Sequence, residues 1–467
     1  MYRLSATTKL VKPKLMRKDT CCKEFLQNLS RRGFVKAGFL GLGALNLSEL
    51  LRKDAQAGIN SQKSVIILWM RGGPSQHETF DPKPFAPSEY RGAFNAINTS
   101  VPGIQICEHL PLSAKVMDHW SIIRSLHHGN AGHSAADQIC FTGYPPGQNA
   151  DQNYFPSCGA IVSKELGGQN PKIPSFVMIP KAVPGVGPAF LGNKYAAFQT
   201  INDPSANGPF IVPNFELADG LSVNRLADRR ELGESLDTIR KDIDNTGQWQ
   251  SVDKFKQQSF DILLGGEARE AFDLDSEPDS VRSRYGCHLG GFDPKKIDRC
   301  GAPSWGQRIL LARRLVERGV RLVTVDCRWW DTHVSGFESM KDGLLPRWDM
   351  AFSALIEDLH QRGLLKNTMV VAWGEFGRTP KVNASAGRDH WPNVFSAAIA
   401  GGRTAGGRVI GSSDDKGAEP KDNPKTPQDV LATIYDHLGI DTSSTIIDNA
   451  GRPHPILSSG SPISELY

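Results

Sequence analysis

Short apolar runs alternate with amphipathic stretches along most of the chain beyond residue 60, and this alternation restricts the fold more than any other feature. The clearest strand-length runs are Val65–Met70, Ser121–Ile123, Phe176–Ile179, Leu322–Val325, Met369–Trp373 and Ser396–Ala400. Apolar residues recur at helical spacing in Gln307–Glu317 and Met350–Leu359, and Pro427–Leu438 opens with the proline that favours a first helical turn. Strands alternating with helices predict an α/β protein whose mostly parallel sheet is covered by helices.

The middle of the chain, residues 180–303, breaks this alternation. It is rich in Gly, Asn, Asp and Pro at first and charged later, with only short apolar runs. Predicted strands lie on both sides of it, so both ends of the chain build one sheet. We therefore predict one domain over residues 58–467 that folds as a single cooperative unit, with residues 180–303 as a loop-rich cap insertion.

The first 57 residues have the features of an export signal. Paired Arg31 and Arg32 are followed by an apolar residue and a lysine, and then by a Gly-, Leu- and Ala-rich run over residues 39–47. This run is far shorter than the roughly 20 apolar residues of a membrane span. Residues 55–57 (AQA) supply the small-x-small pattern of a signal-peptidase site. We expect a twin-arginine signal peptide over residues 1–57, the twin-arginine translocase as partner during export, and a mature protein in the periplasm or outside the cell.

The charge balance changes when this segment is set aside. The whole chain has a formal net charge of +4, but residues 1–57 hold 12 Lys and Arg against 4 Asp and Glu, which leaves a net charge of −4 on the rest. An acidic remainder without a basic, aromatic-rich patch disfavours nucleic acid as a partner. No later apolar run reaches membrane length, so no permanent membrane span is expected.

Six cysteines follow residue 57, and their spacing argues against one kind of metal site. They are Cys107, Cys140, Cys158, Cys287, Cys300 and Cys327. Disulfides are possible in an oxidising compartment. Because none of the six forms a C-x-x-C pair, a zinc site built on thiolates is disfavoured.

Four polar clusters come directly after strand-like runs. They are residues 71–84 (RGGPSQHETFDPKP), 124–137 (RSLHHGNAGHSAAD), 326–333 (DCRWWDTH) and 375–391 (EFGRTPKVNASAGRDHW). In open α/β sheets, ligands bind at the carboxyl ends of the strands, so these clusters are the candidate site.

The residue types in these clusters favour a divalent metal next to an oxyanion. The candidate metal ligands are Asp326, Asp331, His333, Glu375, His390 and Glu78, and the candidate oxyanion clamps are Arg378 and Arg388. Carboxylates and imidazoles suit Zn, Ca, Mg or Mn, among which the sequence does not choose, and Arg suits a tetrahedral oxyanion. This combination is typical of phosphate- or sulfate-ester chemistry. Taken singly, such residues are more often caps or ion-pair partners.

The second cluster adds a candidate nucleophile. Ser134 falls at the start of a predicted helix that ends near Thr142 and Gly143, where the helix dipole favours an anion or alkoxide, and His133 precedes it. Serine is also the commonest residue at a helix N-cap, so a purely structural role stays open. Trp329, Trp330 and Trp391 could stack on a sugar ring or belong to the core.

Four strings in these clusters resemble the secreted family known as domain of unknown function 1501, a branch of the alkaline-phosphatase and sulfatase superfamily. They are residues 72–84, 330–333, 375–380 and 387–392, and the resemblance runs from about residue 63 to 463. Members of the family typically begin with a twin-arginine signal. The resemblance implies a doubly wound sheet with helices on both faces and, in active members, one or two divalent metals with a Ser, Thr or modified Cys nucleophile.

The resemblance also suggests roles for single residues. Residues 133–136 are similar to the nucleophile stretch of alkaline phosphatases, and Asp326 and Asp331 have the spacing of two metal carboxylates there. Glu375 stands where a strand-end Asp would, and His390 resembles the final metal histidine.

Some positions depart from the superfamily pattern. Phe376 replaces an expected histidine, so one ligand of a two-zinc site is missing, and Glu78 stands where many relatives have Asp. The C-x-P-x-R signature of sulfatases is absent, which argues against a formylglycine enzyme. A single-metal or degenerate site is therefore open.

Two functions follow. One is an exported, metal-dependent hydrolase of phosphate or sulfate esters that acts on a small-molecule or polysaccharide ester. The other is a non-catalytic secreted relative that serves as a binding or assembly protein. Fold-level analogy does not choose between them.

Overall fold

A computed structural model describes residues 62–167, 173–206, 208, 210–212, 266–293 and 300–467. These residues belong to one compact unit, Ile59–Tyr467. The predicted signal peptide, residues 1–57, lies outside the described residues.

The described chain is built on one large sheet with several two-stranded ribbons. Its strands are β1 (Ser64–Trp69), β2 (Ala96–Asn98), β3 (Gln105–Cys107), β4 (Trp120–Leu126), β5 (Phe176–Ile179), β6 (Phe198–Gln199), β7 (Leu322–Asp326), β8 (Thr368–Trp373), β9 (Gly377–Arg378), β10 (His390–Trp391), β11 (Phe395–Gly401), β12 (Val409–Ile410), β13 (Ser412–Ser413), β14 (Pro420–Asp422), β15 (Thr445–Ile447) and β16 (Pro453–Pro455). Eight of them form the main sheet in the order β12-β4-β11-β8-β1-β7-β5-β6. All neighbouring pairs are parallel except those of β11, which runs antiparallel to β4 and to β8.

Helices connect these strands. They are α1 (Ser88–Arg91), α2 (Pro111–Lys115), α3 (His133–Thr142), α4 (Cys158–Leu166), α5 (Gly266–Phe272), α6 (Asp279–Arg284), α7 (Gly306–Glu317), α8 (Gly336–Glu338), α9 (Leu345–Gln361) and α10 (Pro427–Leu438). A π-helical stretch, Ser339–Leu344, joins α8 to α9, and single 3-10 turns cover Met117–His119, Ala189–Leu191, Asn193–Tyr195, Leu274–Ser276 and Ser464–Leu466.

The sheet has an apolar core on each face. Ile66 and Leu68 of β1 belong to the core that includes α7 and α9, whereas Val65 and Ile67 belong to the core that includes α4 and α10. Every residue of β1 is buried, as expected for a central strand of a parallel sheet covered on both faces. The prediction of a doubly wound, mostly parallel α/β sheet with helices on both faces is confirmed.

The register of the central strands fixes where the loops meet. Trp69, the last residue of β1, is opposite Asp326 of β7 and Trp373 of β8. Because these three strands are parallel and end level with one another, the polar clusters that follow them leave the sheet at the same edge. The start of α3, which follows β4, also reaches this edge, as the contacts of its first residue show below.

Two described parts of the predicted cap, residues 180–303, pack against the main body. Strand β6 pairs with β5 at the edge of the sheet. Glu277, between α5 and α6, accepts hydrogen bonds from Arg313 and Arg314 of α7. These contacts attach the described pieces of the segment both to the sheet and to a helix layer.

In the part of the chain that the structure describes, no helix is long and apolar enough to cross a membrane. The six cysteines that follow residue 57 are all present there as free thiols.

Candidate active site

Three side chains from distant parts of the sequence meet at the carboxyl edge of the sheet. His133 begins α3, Asp331 lies in the loop after β7, and His390 begins β10. One ligand atom from each lies within 4.8 Å of the others, and this is the one such group of three in the described ranges. His390 Nε2 is 3.1 Å from Asp331 Oδ1, and His133 Nε2 is 3.5 Å from Asp331 Oδ2. We call these three residues the His–Asp–His cluster.

The donor atoms of this cluster fit a borderline divalent ion. Two imidazole nitrogens and a carboxylate suit zinc or manganese, whereas calcium and magnesium prefer oxygen ligands throughout. Three protein ligands also leave a position for another ligand, which is typical of catalytic rather than structural zinc sites.

His333 lies beside the cluster on its exposed side. Its Nε2 is 3.0 Å from both Asp331 Oδ1 and His390 Nε2, and its Nδ1 is 2.7 Å from Asp389 Oδ1. The structure therefore brings His333 to the same place as Asp331 and His390, as the sequence predicts, although it lies outside the group of three.

Glu375 lies behind His133. Its side chain is fully buried, and its Oε1 accepts hydrogen bonds from the Gly72 amide (2.8 Å) and from His133 Nδ1 (2.6 Å). The bond to Nδ1 directs His133 Nε2 toward Asp331, in the way that carboxylates orient metal-binding histidines. Glu375 Oε2 is buried without a hydrogen-bond partner among the described residues. A cation would satisfy this atom.

Glycine is required where Glu375 meets the loop after β1. Gly72 has a φ of 112°, and a Cβ there would lie 2.4 Å from the backbone nitrogen of Trp330. Only glycine allows this approach, which places the Gly72 amide against the buried carboxylate.

The two carboxylates change the protonation of the cluster. Burial opposes the charged form of His133, but hydrogen bonds to Asp331 and Glu375 outweigh burial and raise its pKa to about 9. Burial would raise the pKa of Asp331, yet His133, His390 and Arg378 together hold it well below its usual range. Without a metal, His133 therefore carries a proton at the position that a cation would take.

Arg378 lies in β9, and Arg388 lies in the loop between β9 and β10; we call these two residues the hairpin arginines. His390 is opposite Arg378 in this ribbon. The fully buried Arg378 side chain donates hydrogen bonds to Asp331 and to the carbonyls of Gly72, Gly73 and Arg388. Arg388 donates to Glu78 and to the carbonyls of Tyr90, Thr379 and Pro380. Among the described residues, every guanidinium nitrogen of the two arginines donates to a protein acceptor, and their role as oxyanion clamps stays a prediction.

Three further candidates lie outside the His–Asp–His cluster. Glu78 is buried against Arg388, which lowers the pKa of Glu78 despite the opposing effect of burial. Asp326 is buried and accepts a hydrogen bond from the Arg328 amide at 3.1 Å, besides an ion pair with the Arg328 side chain. Ser134 lies in the first turn of α3, where its hydroxyl donates to Asp151 Oδ1 at 2.7 Å. The metal roles of Glu78 and Asp326 and the nucleophile role of Ser134 stay predictions.

Sequence reasoning did not single out Asp137 or Arg71. Asp137 is fully buried and accepts hydrogen bonds from Trp69 Nε1 (3.1 Å) and Arg71 Nε (2.8 Å). Burial, together with the charge of Glu375, raises the pKa of Asp137 well above its usual value. The available signal was the spacing, since Asp137 follows His133 by four residues and so shares a face of α3 with it.

The tryptophans divide between core and site. Trp330 is fully buried and stacks on Trp305 with ring centroids 5.4 Å apart. Trp329 is half-buried, and its ring centroid is 5.7 Å from that of His133. Trp391 is also half-buried and donates a hydrogen bond to the carbonyl of Ala418.

Fold and site together define a doubly wound α/β protein with a His–Asp–His cluster at the carboxyl edge of its sheet. The chain belongs to the family described as "Protein of unknown function (DUF1501)", which residues 62–467 match. This confirms the family predicted from the sequence motifs. A comparison with curated proteins finds no match.

Solved structures similar to the chain include several hydrolases and a synthase. The phosphonate monoester hydrolase SpPMH from Silicibacter pomeroyi has a TM-score of 0.37 and 11% sequence identity, covering 86% of this chain and 76% of its own. The PsFucS1 sulfatase from Pseudoalteromonas sp. has a TM-score of 0.31 and 12% identity, covering 83% and 70%. The lipoteichoic acid synthase LtaP from Listeria monocytogenes has a TM-score of 0.32 and 9% identity, covering 84% and 79%. The fold class of this chain rests on the sheet topology given above.

Proposed function

We propose that the protein is a metal-dependent hydrolase of phosphate or sulfate esters, acting on a small-molecule or polysaccharide ester. The observation that carries the proposal is the His–Asp–His cluster, whose three ligand atoms lie within 4.8 Å of one another at the ligand-binding edge of an α/β sheet. A bound zinc or manganese would polarise the ester and offset negative charge on the transferred group.

The protein residues would hold and orient the reacting groups. Glu375 fixes the His133 ring through Nδ1, and the hairpin arginines hold the ribbon that carries His390. Ser134, adjacent to His133, is the proposed nucleophile. Its hydroxyl donates to Asp151 Oδ1, a carboxylate able to accept the proton as the oxygen attacks phosphorus or sulfur and the alcohol of the ester leaves. Water would then hydrolyse the seryl ester and regenerate Ser134.

One observation favours the alternative of a non-catalytic binding or assembly protein. Asp331 Oδ1 already has the guanidinium of Arg378 and the Nε2 atoms of His333 and His390 around it. A permanent positive charge on this carboxylate reduces its attraction for a second cation. In this alternative the cluster is a self-contained ion-pair network.

Metal content separates the two functions. Purified wild-type protein should bind close to one equivalent of zinc or manganese, and His390→Ala should weaken binding by at least the roughly 10 to 100-fold that loss of an outer-shell partner costs. His360→Ala is the matched control, because His360 is exposed and stacks on His119 instead of facing the cluster. Wild-type protein that binds neither metal would contradict the hydrolase proposal.

Turnover is the second part of this test. Metal-loaded protein should hydrolyse an aryl phosphate or an aryl sulfate, and Ser134→Ala should lower the rate without changing metal content. Metal binding without turnover of either ester would favour a binding protein.

We also propose that the protein acts in the periplasm or outside the cell after twin-arginine export. The support is the sequence around Arg31 and Arg32, since the translocation machinery reads paired guanidiniums. Arg31→Lys combined with Arg32→Lys should leave the protein in the cytoplasm, because lysine lacks the planar fork. Cell fractionation tests this, and normal export of the double variant would refute it.

A further inference from the structure

Two other arginines, Arg71 after β1 and Arg328 after β7, lie at the same edge of the sheet, and we call them the edge arginines. Each is anchored through Nε to a buried carboxylate. Arg71 Nε donates to Asp137 Oδ2 at 2.8 Å, and Arg328 Nε donates to Asp326 Oδ2. The two anchoring carboxylates are 0% and 4% exposed, so each guanidinium is held from the protein side.

The Nη atoms of these guanidiniums do not donate to any described residue. Within the described ranges, the Nη atoms of Arg71 and Arg328 have no hydrogen-bond partner, and their side chains are 9% and 30% exposed. Their Nη atoms are therefore accessible from the solvent side, where a ligand could reach them. The hairpin arginines, by contrast, donate from all of their nitrogens.

Trp329 links both edge arginines to the cluster. The guanidinium carbons of Arg71 and Arg328 lie 4.7 Å and 5.3 Å from the centroid of its ring, a cation–π arrangement. The same ring is 5.7 Å from His133, measured between centroids. Two positively charged forks are therefore fixed beside the His–Asp–His cluster without contacting Asp331.

We propose that Arg71 and Arg328, positioned by Trp329, bind a tetrahedral oxyanion, phosphate or sulfate, next to the His–Asp–His cluster. A planar fork with unused parallel N–H groups matches two oxygens of such an anion. Because Nε anchoring and ring stacking already fix both side chains, little conformational entropy is lost when the anion binds. The inference deepens the proposed function and rests on it for the substrate class, since it replaces the hairpin arginines with the edge arginines as the groups that hold the oxyanion.

The competing interpretation is that both arginines have a purely structural role. Substitution by lysine distinguishes this role from anion binding. A lysine at position 71 or 328 can still pair with Asp137 or Asp326 but offers no second edge. If the arginines serve only the buried carboxylates, Arg→Lys should leave anion binding unchanged. If the Nη atoms bind the anion, Arg→Lys should weaken anion binding.

The experiment measures binding of inorganic phosphate and of inorganic sulfate, separately, by calorimetry on the full chain after treatment with EDTA. Arg71→Lys and Arg328→Lys are compared with Arg403→Lys, a matched control because Arg403 also pairs with a carboxylate (Asp436) and lies over an aromatic ring (Tyr467). Each edge variant should weaken the preferred anion about tenfold or more, as expected for loss of charge-assisted hydrogen bonds. Arg403→Lys should match wild type.

Three results would overturn the inference: no binding of either anion by wild-type protein, unchanged affinity in both folded edge variants, or an equal loss in Arg403→Lys. If Arg71→Lys does not fold, the half-exposed Arg328 decides the question alone, with its thermal unfolding recorded beside its affinity. The outcome is independent of turnover. Arginine-dependent anion binding without ester hydrolysis would support this inference while the proposed function fails.

Discussion

The hairpin arginines and the edge arginines have the same side chain but differ in their hydrogen bonds: the first pair belongs to the β9–β10 ribbon, and the second pair follows strands β1 and β7 of the main sheet. In the fully buried Arg378 and the buried Arg388, every guanidinium nitrogen donates to a carboxylate or a backbone carbonyl. In Arg71 and Arg328, Nε donates to one buried carboxylate, and the Nη atoms have no partner among the described residues. The difference comes from the number of backbone carbonyls that the surrounding loops turn inward. An arginine near a site is thus a ligand-binding group only where the loops leave its fork unsatisfied.

Replacing a hairpin arginine should have the largest effect on stability. Arg388→Lys keeps one positive charge near Glu78 but cannot reach that carboxylate and the carbonyls of Tyr90, Thr379 and Pro380 together. Each abandoned buried acceptor costs about 1 to 3 kcal/mol, so we expect a loss of about 3 to 5 kcal/mol in the free energy of unfolding. Denaturant titration measures it. A loss below about 1 kcal/mol would show that the hydrogen bonds of Arg388 contribute little to the stability of the fold.

Metal binding by the His–Asp–His cluster, which lies beside the edge arginines, should depend on pH through His133. Its pKa, raised to about 9 without metal, means that a metal ion must displace a proton below that pH. Apparent metal affinity should therefore rise with pH by up to about tenfold per unit and level off near pH 9, since one proton is released for each ion bound. Competition against a chelator between pH 6 and 8, corrected for protonation of the chelator, tests this. An affinity independent of pH would mean that His133 does not bind the metal.

Replacing an edge arginine should have the smallest effect on stability. Arg328→Lys keeps the ion pair with Asp326 and gives up only nitrogens without a protein partner, so the free energy of unfolding should fall by less than about 1 kcal/mol. The same denaturant titration used for Arg388→Lys gives the value. A loss as large as that of Arg388→Lys would show that the Arg328 fork is structural.

The fold was predictable because the core strands are continuous apolar runs. Phe176–Ile179 and Pro427–Leu438 were predicted with the bounds that the structure gives, and the other five predicted strands begin and end within a few residues of the observed ones. The helix from Pro427 also begins with a capping box between Thr426 and Asp429, a local signal that fixes its start. The antiparallel direction of β11 was not predictable, because a buried strand reads the same in either direction.

Sequence patterns singled out several residues at this edge of the sheet, but not their arrangement. The sequence identified Asp331, His333, Glu375 and His390, and the structure brings all four together. It could not show that Glu375 contacts His133 instead of Asp331, since that depends on the approach of α3 to the edge. Nor could it separate Arg378 from Arg71, because the burial of a guanidinium depends on loop backbone that carries no sequence pattern.

The central position of β1 has a consequence for synthesis. Val65 pairs with Leu322 and Met369, so β1 leaves the ribosome well before either neighbouring strand exists. At roughly 5 to 20 residues per second, the delay is on the order of ten seconds to a minute. During that time the run SVIILW, which includes one Val, two Ile and one Trp of high β propensity, has neither sheet partner. The nascent chain should therefore depend on chaperone protection of its first strand until β7 and β8 have been made.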